Sequence, residues 1–97
     1  MPSSDQLKAL GKMLRELADA QPENRASLEI WEARAAEVES VVAADAALSD
    51  AIPHAVWHFL SDADIRMKDV EYRASQIAEV LPAIEAFERG LAPVDAA

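Results

Sequence analysis

Asp50, His54, His58 and Asp62 follow one another at four-residue intervals. On a continuous helix that spacing stacks four donors on successive turns of one face, which is how helices build sites for zinc or nickel. Asp64 and Glu71 could extend the donor set. The same stretch also argues against a single helix. Pro53 and the start signal Ser61-Asp62-Ala63-Asp64 interrupt it on both sides. His54 and His58 then remain as a pair without an HExxH or ExxH context, so metal binding at these two histidines is the least favoured of three readings, and no cofactor is expected.

Catalysis would need a nucleophile with a base, or an acid–base pair, held in a pocket. Candidates crowd into residues 54–73: the two histidines, Asp62, Asp64, Arg66, Lys68, Asp69, Tyr72 and Arg73. Asp62, Asp64, Arg66, Lys68, Asp69 and Arg73 mix both signs along one helix, the pattern of a solvated face. There is no cysteine, which removes thiolate chemistry and Cys-ligated metals. Only two glycines occur, and no phosphate-binding or dinucleotide motif is present. Pro2, an N-terminal secondary amine if Met1 is removed, leads a helix-capping segment and is discounted. The expected function is therefore non-enzymatic.

Charge gives a sharper lead. The chain has 97 residues and a formal charge of −9 from 18 acids and 9 bases. Residues 35–65 contain no Lys or Arg but hold Glu37, Glu39, Asp45, Asp50, Asp62 and Asp64. Direct nucleic-acid binding and attachment to anionic membranes both need a basic footprint, and neither is expected. An acidic surface suits a basic partner. Trp57 and Phe59, with Asp62 and Asp64 beside them, are the candidate partner-docking residues, although packing at one end of the core is the favoured use of the two rings, since a small domain cannot spare its aromatics.

These side chains must be positioned by helices. Leu7, Leu10, Leu14 and Leu17 repeat at three and four spacing after a cap at Ser4 or Asp5, and Pro22 ends that helix. Lys8, Lys12 and Arg15 flank the leucines and are expected to pair with acids on a neighbouring helix. A second helix starts within 22–27 and runs to about 48, with a seam of Leu28, Trp31, Ala35, Val38 and Val42. Pro53 opens a short third helix carrying the histidines and Trp57. The last helix spans 62–90, with the seam Ala63, Met67, Val70, Ala74, Ile77, Leu81 and Ile84. Pro82 is expected to bend or break it at Leu81, and Gly90 to stop it.

The reading is all-α: one domain over 1–97, an ordered core over about 5–90 and a frayed tail over 91–97. It is a bundle of three to four helices with heptad-like seams. Alanine supplies 21 residues and only 29 larger apolar side chains remain. A core that thin favours a homodimer, with Trp31, Val38, Val70, Ile77 and Leu81 as the dimer or core seam. No secretory signal or membrane-spanning run is read, so the cytoplasm is expected. The expected function is a protein-interaction or regulatory module that associates through apolar helix faces. The alternative is an acidic neutraliser of a basic partner, of the antitoxin, immunity-protein or nucleic-acid-mimic kind.

Overall fold

The computed structural model describes residues 2–93 and is all-helical across them. Six helices follow in order: α1 Ser4–Asp19, α2 Arg25–Ala43, α3 Ala46–Asp50, α4 His54–Ser61, α5 Ala63–Lys68 and α6 Val70–Glu88. They form a small bundle with more pieces than the seams predict. The two extra breaks fall at aspartates. Asp45 accepts from the backbone N–H groups of Ala47 (2.9 Å) and Leu48 (3.2 Å), so α2 ends early and α3 begins. Asp69 adopts extended backbone and caps α6 by accepting from the Tyr72 N–H at 3.0 Å. That cap divides the predicted 62–90 helix into α5 and α6.

The first two helix starts are capping boxes. Ser3 and Gln6 close one at α1, a residue earlier than predicted, and Asn24 and Ser27 close the other at α2. Pro53 stands one position earlier than expected, at the N-cap of α4. Pro82 does not break α6: it points to solvent, where water can serve the carbonyl its missing N–H leaves free. Gly90 (φ 74°) ends the helix in a Schellman motif, with the N–H of Gly90 on the carbonyl of Phe87 (2.8 Å) and that of Leu91 on Ala86 (2.9 Å). Residues 91–93 are non-helical; the rest of the predicted frayed tail lies outside the described residues.

α1 and α6 form the main pair, running antiparallel. Gly11 makes their closest approach possible: a Cβ there would lie 2.8 Å from the Glu88 nitrogen. One turn on, Arg15 makes a bidentate pair with Glu88 (2.8 and 3.1 Å), the kind of partner expected for the basic flank of α1. Leu10, Leu14, Val80, Ile84 and Phe87 fill the space between the two helices, and α2 and α4 add Trp31, Val38, Val42, Val56 and Phe59. The radius of gyration is 12.9 Å, close to the roughly 12.5 Å of a folded chain of this length. The single chain thus closes its own core. Among the described residues no helix is long and apolar enough to cross a membrane.

Candidate functional site

The largest fully buried side chain is a cation. Arg66, on α5, is 0% exposed, in a stretch whose mixed charges predict a solvated face. Its guanidinium carbon lies 4.9 Å from the ring centroid of Trp31 and 4.5 Å from that of Phe59, a desolvated double cation–π contact. The two rings meet edge to face with centroids 5.5 Å apart. Trp31 is fixed in turn, because its indole N–H donates to the carbonyl of Leu17 at 2.9 Å.

Three oxygens receive the guanidinium. Nε donates to Gln21 Oε1 (3.0 Å), and Nη1 donates to the Phe59 carbonyl (2.6 Å) and to Gln76 Oε1. Among the described residues Nη2 is buried without a partner, and no carboxylate touches the cation. Gln76 relays the nearest one: its Nε2 donates to Asp62 (2.9 Å) and to the Tyr72 oxygen (3.2 Å), while the Tyr72 hydroxyl donates to Asp62 at 2.7 Å. The cluster therefore ties the α1–α2 connection, α2, α4, α5 and α6 together.

Its ionisation follows from this geometry. Burial pushes the Arg66 guanidinium down to about 10, against the opposing pull of Asp62, Tyr72 and Asp64. The Tyr72 hydroxyl, helped by the Gln76 amide, holds the Asp62 carboxyl below the ordinary carboxylate value. The same bond raises Tyr72. At neutral pH Arg66 and Asp62 are charged and Tyr72 is not. No proton is poised to move, and the cluster acts as a bonded knot between helices.

The residues singled out from the sequence are scattered. His54 and His58 project to solvent from α4. Asp50 ends α3, and Asp62 is held by Tyr72 and Gln76, so the four-residue ladder does not form. Among the described residues no group of three or more His, Asp or Glu stands close enough to hold a metal ion. Phe59 is wholly buried under Arg66, which corrects its assignment to a docking surface. Trp57 is half-buried against the core, and Asp64 is exposed. Trp31 and Val38 belong to the internal core. They are 2% and 3% exposed and cannot form a face between two chains. Val70 is 66% exposed, while Ile77 and Leu81 are half-buried.

Gln21 and Gln76 fall outside the candidates the sequence offers, and Arg66 and Tyr72 enter only within the discounted catalytic set over 54–73. One signal was available for Gln76. With Val80, Ala83 and Phe87 it recurs at intervals of four and three, a polar residue in phase with a buried face. Nothing in the order of residues marks Arg66.

No protein-family model, no curated protein and no solved structure matches this chain.

Proposed function

We propose that the protein is a non-catalytic helical interaction module that associates through an apolar face of α6. One observation carries the reading. α6 has two apolar stripes, and the fold fully buries only one. Gln76, Val80, Ala83, Ile84 and Phe87 face inward. The heptad-spaced stripe Val70, Ala74, Ile77 and Leu81 lies about a third of a turn away, with Val70 and Ala74 exposed and Ile77 and Leu81 half-covered. An apolar seam of period three and a half suits a second helix. We take the second helix to be α6 of another copy, since the same seam on two copies is self-complementary about a two-fold axis.

The alternative, docking of a basic protein, draws support from α2. Ile30 (59% exposed) and Val41 (46%) flank Glu37 on one side of that helix; Glu37 and Val41 lie in the base-free stretch, while Arg34 shares the side next to Ile30. Two acids of that region are engaged within the chain, Asp45 with Gln6 and Asp62 with Tyr72, which weakens the charge argument.

Val70→Lys combined with Ala74→Lys changes only exposed positions, so the fold should survive. By light scattering and native mass spectrometry the wild type is expected to be a dimer and the variant a monomer, each with the same helical circular dichroism. A wild type that stays monomeric at about 100 µM, well above typical micromolar dissociation constants, would reject self-association through α6. Binding to a basic protein that is tight at low salt and falls steeply as salt rises would favour the alternative instead.

A further inference from the structure

We propose that Trp31, Phe59, Gln21 and Gln76 form an arginine-binding cage that Arg66 fills from within, and that α5 is a latch able to withdraw Arg66 so that an arginine of a partner protein can enter. This inference rests on the cage and α5, not on the α6 face.

The cage has the parts that guanidinium recognition requires. Two ring faces lie 4.9 and 4.5 Å from the guanidinium carbon, and Gln21, Gln76 and the Phe59 carbonyl supply oxygens around its edge. Asp62 supplies negative charge one hydrogen bond further out. All these groups belong to elements other than α5, apart from Asp62 at its boundary, so the cage does not need α5 for its walls. The match is incomplete, because Nη2 finds no acceptor among the described residues. A buried donor left unpaired weakens the closed state.

α5 is the shortest helix next to that cage. Of its six residues only Ala63 and Arg66 are buried. Ile65 is 44% exposed, and Asp64 and Lys68 face solvent. Both ends are posted. Asp62 is held by Tyr72 and Gln76, and Asp69 caps α6. Between those posts a six-residue helix spans about 9 Å and the same residues extended span about 20 Å. Unwinding α5 thus gives roughly 10 Å of slack, enough for Arg66 to leave while both neighbouring helices stay in place. Removal of one large side chain then opens the corner that the two rings form.

Two measurements test this. In wild-type protein, native-state hydrogen exchange should show the Arg66 and Asp69 amides, bonded to Asp62 and Ile65 within α5, exchanging about 100-fold faster than the Leu14 and Ile84 amides. Exchange of all four at the same global rate would overturn the latch. In Arg66→Ala, 10 mM ethylguanidinium replaces the deleted atoms and should raise Tm by about 5 °C if it binds near 1 mM. Propylammonium, a cation of similar length without the planar fork, should not. Equal effects of the two cations, or none from either, would overturn the cage. If Arg66→Ala is unfolded, the same titration is read as ligand-induced recovery of helical signal. The exchange measurement on wild type stands regardless.

Discussion

Arg66 and Gln76 should prove strongly coupled in a double-mutant cycle. Arg66→Met keeps a long side chain against Trp31 and Phe59 but removes the donor that serves Gln76 Oε1 and the Phe59 carbonyl. Each buried acceptor left bare costs about 1–3 kcal/mol, and the lost cation–π contacts cost about 1–2 kcal/mol more. Removal of a desolvated charge and new sulfur–aromatic contacts offset part of this. The net loss expected is about 3 kcal/mol. Gln76→Leu leaves Arg66 Nη1 with a single acceptor and Asp62 without the amide, again at about 3 kcal/mol because the groups left short are charged. In the double variant the Gln76 oxygen and the Arg66 donor disappear together, so the combined loss should be about 4 kcal/mol rather than 6, a coupling of about 2 kcal/mol. A chain of this size has about 5–15 kcal/mol of stability, so each single variant should stay folded. Urea denaturation, followed by tryptophan fluorescence and circular dichroism, measures all four corners. With a slope of about 1–1.5 kcal/mol per molar, each single variant moves the midpoint by about 2 M or more. A coupling within about 0.5 kcal/mol of zero would refute the reasoning, since it would mean that Arg66 does not depend on Gln76 for its burial.

Other consequences can be checked with the same assay. Asp62 has a folded-state pKa below its unfolded value, so its contribution is present above about pH 4 and fades as the pH falls through the lower folded value; Asp62→Asn should flatten that acid limb over pH 2–6. Tyr72 is raised, so its contribution is complete below about pH 10 and is lost as the pH climbs through the folded value; Tyr72→Phe should remove that loss. Gly11→Ala places a methyl 2.8 Å from the Glu88 nitrogen and 3.0 Å from Phe87. Separating α1 from α6 should cost about 1–3 kcal/mol, outweighing the roughly 1 kcal/mol gained in helix propensity. Gly90→Ala forces a side chain into φ 74° and against Ser4, with an expected loss of about 1–2 kcal/mol in the denaturation midpoint.

The helical class, the leucine face of α1, the Trp31 face of α2 and the stop at Gly90 were legible because each rests on a local rule of spacing or backbone preference. The inward face of α6 was not. Val70, Ala74, Ile77 and Leu81 keep helical period as well as Gln76, Val80, Ala83 and Phe87 do, and period alone cannot rank two stripes on one helix. Packing decides. Phe87 and Val80 fit against Leu10 and Leu14 where Gly11 lets α1 approach, and the alternative stripe is left at the edge.

The buried arginine was illegible for a different reason, which also explains the break at Asp69. On an unbroken helix Arg66 and Gln76, ten residues apart, would stand about 15 Å apart along the axis. Asp62 and Gln76, fourteen apart, would be separated by about 21 Å. Neither hydrogen bond could form. Asp69 supplies the bend: its carboxylate satisfies the first turn of α6, so α5 can fold back and turn Arg66 onto the two rings. A single exposed aspartate thereby converts what reads as a solvated run of mixed charge into a cation core. The cost of that arrangement is an unpaired Nη2 and a six-residue helix with little else to hold it. The feature that makes α5 legible only in three dimensions is thus also the one that makes it the element best placed to open.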